Sequence, residues 1–408
     1  LASTITDELK LGTNFRSKVI GVALKDRGAI LPAGHAADAA YWFDDETGNW
    51  ITSTYYMTEL PGWVQEFNKQ KLISKYLTQQ WTTLYPIGTY KQSAGDDNEY
   101  EGIFKNEVRP VFPHNIPVIK GSDFNTIRNT PYGNTLTLDF AKEAVNREKL
   151  GNRGITDFLA VSLSSTDYLG HQFTPNSIEV EDTYLRLDKD LGNFLLYLDQ
   201  KIGRGNYIMF LSADHGAAHN PQFMIDHNLP AGVWSSSRTT DSLNRILEQK
   251  YGHKKIALAL HSYQLHLNKS LIAAQQLDLA AIKKDCIEFL RGLDGVATAV
   301  DIDQVRNAPI PELIIEKIIK GYYPLRSGDI QVILQPGWYS STLKTGTTHG
   351  SWYPYDAHIP LLWFGWKVKH GKTNRETHMT DVAPTLAALL RIQMPNGNIG
   401  QVIEEISK

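Results

Sequence analysis

Cysteine is almost absent. Cys286 is the single one in 408 residues, so the chain cannot build an intrachain disulfide, a four-cysteine zinc finger or a paired-cysteine redox motif. The missing disulfides leave the compartment open, since domains of this size fold without them in any redox setting. No apolar run is long enough to cross a bilayer as a helix. Neither charge is in excess. Lys plus Arg is 41 and Asp plus Glu is 44, a net charge of -3, which excludes a nucleic-acid binder working by bulk charge. Internal repeats, low-complexity tracts and charge blocks are also missing. The opening LASTITDELKLG has no charged start, no apolar centre and no small-residue cleavage site, so it is not a signal peptide. It reads as Ser3 or Thr4 capping a short helix through Leu9, and a chain that begins at Leu1 is expected to be processed or a fragment.

What is present supports a packed core. Hydrophobic residues make up 42% and charged residues 21%, which excludes wholesale disorder. A length prior of about 150 residues per domain gives two or three domains, or one large α/β domain with insertions. SKVIGVAL (17–24), DFLAVSL (157–163), YIMFLSA (207–213), DIQVILQP (329–336) and IPLLWFG (359–365) are nearly continuous apolar runs, the pattern of strands buried on both faces. Longer amphipathic stretches lie between them. Residues 137–150 form one helix, ended by Gly151. Residues 176–203 form the clearest, with Asn176 as cap, Glu179 completing a capping box, and Tyr184, Leu187, Leu191, Leu195, Leu198 and Ile202 at helical spacing. The tail 381–392 forms a third, with Asp381 at the cap and Pro384 in the first turn. This alternation predicts an α/β fold with a mostly parallel central sheet and helices on both faces. Strands 17–24, 157–163, 207–213 and 359–365 are expected in that one sheet. Two stretches break the alternation. Residues 44–135 are rich in Trp, Tyr, Pro, Asn and Gly. Residues 240–328 hold IALALHSYQLHLN, alternating like a strand or hairpin, and helix patterns at 277–291 and 311–320. Both read as insertions in a single domain spanning 1–408.

Three polar clusters touch these strands. In SSTDYLGHQF, Asp167 and His171 are four apart, which puts both side chains on one face of a helical turn. A carboxylate and an imidazole there are half of a zinc site, or else ordinary turn polarity. In LSADHGAAHN, Asp214 and His215 are adjacent, so both reach one metal only where the chain has left the sheet; Gly216 lets it turn there. The plainer reading is a polar turn capped by Asp214. His219 and His227 read as surface residues or as supports behind the site. In TGTTHGSWYPYDAHIPLLWFG, His349 sits in a small-residue loop, and His358 is expected to pack against Trp and Tyr. A fourth feature is the KDR after strand 17–24. Lys25 and Arg27 point the same way if the backbone stays extended, where they could grip phosphate oxygens; otherwise they are a solvated turn. Two Asp and three His fall one ligand short of two three-residue zinc sites. Two zinc ions about 4 Å apart clamp the attacking and leaving oxygens of an in-line phosphoryl transfer.

SSTDYLGHQF, SADHGAAHN and TGTTHGSWYPYDAHIPLLW, in that order, resemble the alkaline phosphatase superfamily, and within it the PafA-type bacterial phosphate monoesterases. LKDRGAILPAGHAADAAYWFD and the DVAPTLAALL tail are similar to the same subgroup, so the resemblance runs from residue 1 to about residue 400. It implies two zinc ions. Asp167, His171 and His349 match the ligands of one, and Asp214 and His215 match two ligands of the other. Lys25 and Arg27 match the pair that contacts the phosphoryl oxygens, a pair that tilts the substrate toward monoesters. The family also has an aspartate ligand, a threonine nucleophile and an asparagine donor, all ahead of the strand that here is 17–24. None is present. AGHAADAA (33–40) mimics the nucleophile loop but has Ala37 where the hydroxyl would stand, and it follows Lys25 instead of preceding it. The expectation is that about a hundred N-terminal residues, two or three strand–helix units, lie outside this sequence.

The resemblance thus implies a zinc-dependent alkaline phosphatase acting through a phospho-enzyme, periplasmic or secreted. It is expected to be a monomer acting on small phosphate monoesters, with no nucleic-acid partner and no membrane span. This stretch alone is expected to be inactive. One rival is another hydrolase of the superfamily. A phosphodiesterase shares the five ligands; a sulfatase needs a cysteine or serine in a context that KKDCIEFL around Cys286 does not match. The other rival is a metal-binding remnant without catalysis.

Overall fold

The computed structural model describes residues 2–120, 123–341 and 344–407. They divide into two compact units, Leu1–Ala213 with Pro360–Lys408, and Asp214–Ile359.

In the first unit, β1 (Val19–Ala23), β2 (Ala39–Asp44), β3 (Asn49–Ile51) and β4 (Phe158–Ser162) form one sheet in the order β3-β2-β1-β4. β1 runs parallel to both β2 and β4, and β2–β3 is an antiparallel hairpin. β1 is buried along its whole length. Alternation along a strand explains how. Ile20 and Val22 enter the large apolar core with Tyr41, Trp50, Leu136 and Phe140. Gly21 and Ala23 face the other way, onto helix Asp26–Ala33, where Ala23, Ala29 and Ala40 form a small cluster. A Cβ on Gly21 would lie 2.1 Å from the Ala29 carbonyl oxygen, so only glycine lets that helix come so close. The aperiodic stretch after β2 feeds the same core: Trp50, Phe67, Leu77, Trp81, Phe104 and Ile116 are all buried in it. Aromatic side chains carried by short helices and loops fill that space, which is why no period appears. Residues 121 and 122 of this stretch lie outside the described residues.

β5 (Ile208–Ser212) belongs to the first unit but not to this sheet. The single-sheet expectation holds for 17–24 with 157–163 and fails for the other pair. The physical reason is that an apolar run records burial and carries no information about pairing partner or direction. β4 and β5 are also less covered than such runs predict: only Ala160 of β4 is buried, and β5 is half-buried throughout.

Helix Ile178–Leu198 begins one residue later than its sequence signature. Ser177, not Asn176, is the cap, its hydroxyl accepting from Val180 N at 3.1 Å. The expected capping box is therefore absent, and the Glu179 side chain is turned inward and fully buried. The helix continues as one wider turn to Gly203, which has a φ of 99°.

The second unit holds β6 (Gly232–Trp234), β7 (Ala257–His261), β8 (Gln264–Leu267), β9 (Val296–Asp301), β10 (Ile330–Leu334) and β11 (Trp338–Ser340). β7-β8-β10-β9 is an antiparallel sheet, and β6 pairs with β11 in parallel. Helices Ser236–Tyr251 and Leu279–Arg291 supply Leu243, Leu247, Ile282, Cys286 and Leu290 to its core. The hairpin read in IALALHSYQLHLN is β7–β8. Its turn residues Ser262 and Tyr263 have φ of 49° and 59°, the doubly left-handed turn that matches strand twist. This unit contains the stretch 240–328 and extends beyond it on both sides.

The chain then returns to the first unit as β12 (Leu361–Gly365), which pairs antiparallel with β5, and continues into helix Val382–Leu390, with Pro384 in its first turn, and the short helix Glu404–Ser407.

Candidate functional site

Parallel pairing sets Ala23 opposite Ser162, so β1 and β4 finish at the same sheet edge. Each strand then enters a helix there. Lys25 is the last extended residue before helix Asp26–Ala33, with φ -91° and ψ 135°. β4 runs into helix Ser165–Phe173, which carries Asp167 in its first turn and His171 in its last. The four-residue spacing brings His171 Nε2 to 3.3 Å from Asp167 Oδ1. Lys25 Nζ pairs with Asp167 Oδ2 and lies 4.4 Å from the centre of the Tyr168 ring. Burial opposes ionisation of Asp167. Hydrogen bonds from His171 and Lys25 and the Lys25 charge outweigh it and hold the carboxyl well below the usual carboxylate range.

Arg27 is placed differently. The extended backbone that would align it with Lys25 ends at Lys25, and Arg27 lies in the first helical turn. Its side chain is 71% exposed and 3.9 Å from Asp26. Two residues along a helix turn the side chain by about 200°, to the opposite side of the axis. Tyr168 and Arg128 were not singled out in the sequence. Arg128 Nη1 donates to the Tyr168 hydroxyl at 2.9 Å and pairs with Asp45, which fixes the ring against Lys25. Lone aromatic and basic residues at those positions carry no motif.

The second unit brings together Asp214, His215 and His349. The His215 and His349 rings stack with centroids 3.3 Å apart at 11°. His215 Nδ1 contacts the Gly216 carbonyl at 2.7 Å, and its Nε2 is 3.7 Å from Asp214 Oδ2. The pairing of two loops produces this. Ala218 N donates to Thr348 O, the Thr347 hydroxyl to Ala218 O, and the Asn220 amide to Lys344 O and Gly346 O. Gly216 serves close approach: its φ is not positive, and a Cβ there would lie 2.1 Å from the Tyr355 carbonyl oxygen. That corrects the expectation that it supplies a turn.

Asp356 was also missed. It is buried, and its Oδ2 accepts from Gly350 N, Ser351 N and the Ser351 hydroxyl at 3.0, 2.7 and 2.6 Å. It thereby ties down the loop that carries His349. A carboxylate close behind a run of small residues was the available signal. His219 and His227 are exposed, as surface residues should be. His358 is exposed too, against the expectation of aromatic packing, because the short helix before it turns it outward.

A family model described as type I phosphodiesterase / nucleotide pyrophosphatase matches residues 7–354. A Myroides odoratus protein named a calcium-transporting ATPase is 55% identical over 409 residues, spanning 99% of this chain and 75% of its own. Alkaline phosphatase PhoV of Synechococcus elongatus is 51% identical over 100% of this chain and 74% of its own. The crystal structure of wild-type alkaline phosphatase PafA matches with a TM-score of 0.97 at 46% identity, over 100% of this chain and 78% of that one. A form of PafA with a threonine, an asparagine, a lysine and an arginine replaced, the last two being two positions apart, matches with a TM-score of 0.96.

Proposed function

Because this chain belongs to the type I phosphodiesterase / nucleotide pyrophosphatase family, we propose that it cleaves phosphate monoesters with two zinc ions and a covalent phospho-enzyme. That it is a phosphatase of the PafA and PhoV type follows from identities of 46% and 51% over the whole chain. The metals, the intermediate and the residue roles are the proposal.

The donors suit zinc, which takes imidazole nitrogen and carboxylate oxygen. Asp167 with His171 offers both kinds within one helical turn, and the stacked His215 and His349 offer two imidazoles beside Asp214. We assign Asp167, His171 and His349 to one ion, and Asp214 and His215 to the other. Bound zinc would supply positive charge at the reacting oxygens and a more acidic water.

Lys25 carries the charge for the phosphoryl oxygens. Its ammonium stands beside Asp167, and the Tyr168 ring limits where it can move. Arg27 would join it by swinging in from solvent. The lysine and arginine replaced in PafA, two positions apart as here, support this pairing. The attacking oxygen is assigned to a threonine outside residues 1–408, with an aspartate and an asparagine beside it. That oxygen bonds to phosphorus as the ester oxygen leaves and takes a proton. Water then breaks the phosphothreonine bond, releasing phosphate and restoring the hydroxyl.

Among the described residues no helix is long and apolar enough to cross a membrane. We place the enzyme in the periplasm or outside the cell, as a monomer acting on small phosphate monoesters and not on nucleic acid. The observation that carries the proposal is the whole-chain match to PafA together with the Lys25–Asp167–His171 group at the strand ends. The family description favours one second reading, phosphodiester cleavage.

Residues 1–408 assayed alone with zinc should be nearly inactive on p-nitrophenyl phosphate. Activity should return when the N-terminal segment of a PafA-type enzyme is supplied. Turnover by residues 1–408 that survives repurification would overturn the assignment of the nucleophile. Faster cleavage of bis-p-nitrophenyl phosphate than of the monoester would favour the second reading.

A further inference from the structure

Glu101 and Glu179 form a second polar centre that shares no residue with those assigned above. Glu101 is 2% exposed and Glu179 0%. Three of their four carboxylate oxygens, both of Glu101 and Oε2 of Glu179, are buried without a hydrogen-bond partner among the described residues. The fourth, Glu179 Oε1, faces His114 Nε2 at 3.1 Å. His114 Nδ1 is taken by Glu107 at 3.0 Å, so the imidazole has nothing left for Glu101. Asp96, nearby, accepts from Phe112 N at 3.2 Å.

The backbone holds Glu101 in place. Gly102 N donates to Gln172 O at 2.8 Å, and a Cβ on Gly102 would lie 2.9 Å from that oxygen. Phe104 packs on His114 and on Phe173. Phe104, three residues beyond Glu101, packs on the His114 ring that Glu179 holds, which brings the two glutamates into one neighbourhood.

Burying carboxylate oxygens without partners costs free energy that one imidazole, already shared between Glu107 and Glu179, cannot offset. We infer that Glu101 and Glu179 together bind a divalent cation of the calcium class. Three carboxylate oxygens in place, with main-chain carbonyls or water to complete the shell, suit a hard ion that tolerates irregular geometry. Zinc would want a nitrogen, and both His114 nitrogens are used. The ion would pin the aromatic-rich stretch to the start of helix Ile178–Leu198. A proton is the rival occupant, since burial and the Glu179 charge push the Glu101 carboxyl up to about 10 when no ion is bound.

The test is equilibrium dialysis against radiolabelled calcium chloride with zinc held in excess, alongside unfolding temperature across a calcium series. Wild-type protein should retain one calcium per chain, and its unfolding temperature should rise with calcium. Glu101→Gln and Glu179→Gln should lose the retained calcium and the rise while keeping their zinc. No calcium on the wild type, or calcium unchanged on Glu101→Gln, overturns the inference and leaves the proton. The wild-type measurement decides the matter even if a variant misfolds.

Discussion

The Lys25 ammonium is half-buried against Asp167, while the Arg27 guanidinium stands in solvent. In the active enzyme, Lys25→Ala should cost more monoester turnover than Arg27→Ala. Both should cost less with a diester, which offers one fewer non-bridging oxygen to a cation. Loss of one charge-assisted contact costs about 1.5–3 kcal/mol, roughly one to two decades of rate. Equal losses on both substrates would mean that the two residues only shape the loop. Cys286 permits a second measurement. It is fully buried, and its thiol is pushed up to about 12 by burial, with the charges of Asp285 and Asp329 adding to the shift. The native protein should leave a disulfide reagent unreacted at pH 8, and one thiol per chain should appear on unfolding. Rapid labelling of native protein would place that residue at the surface. At this scale the sequence was most readable where spacing alone determines geometry. Asp167 and His171 meet because four residues make about one turn. Arg27 does not share the direction of Lys25 because the helix starts at Asp26 and ends the extended backbone at Lys25.

The elements are held by close approaches that a single atom can disturb. Gly21→Ala would push a methyl into the Ala29 carbonyl and displace helix Asp26–Ala33, the helix that aims Lys25. Overpacking of this kind costs about 1–3 kcal/mol, which urea unfolding would register as a lower midpoint; an unchanged midpoint would mean that the helix yields freely. Asp356→Asn keeps the shape but weakens the acceptor for three donors, and a buried hydrogen-bond network of this kind is worth about 1–3 kcal/mol. Zinc affinity should fall with stability, because the loop it holds carries His349. A variant that loses neither would leave Asp356 with no part in holding that loop. Helix positions were legible from periodicity to within a few residues. Strand partners were not: β5 and β12 have the apolar pattern of a central strand and, among the described residues, pair only with each other. Nor was Glu179, whose place in a capping motif hid a side chain that folds inward to His114.

Across the molecule, most residues assigned to chemistry follow a strand or lie in a loop leading to one, and sequence order alone arranged them so. The pairing of the two loops that bring His215 against His349 had no signature, because main-chain bonds between distant loops leave no pattern in side-chain identity. One feature of the sheets also bears on handling the protein. Among the described residues β4 closes one side of its sheet, β5 pairs on one side only, and both are apolar and half-buried. Each presents a ladder of backbone donors and acceptors that any extended peptide can complete. Residues 1–408 on their own should therefore behave as a sticky template. Light scattering should grow with concentration, and a lysine at Met209 should suppress that growth without altering the fold. If that variant associates as the parent does, the adhesive surface lies elsewhere.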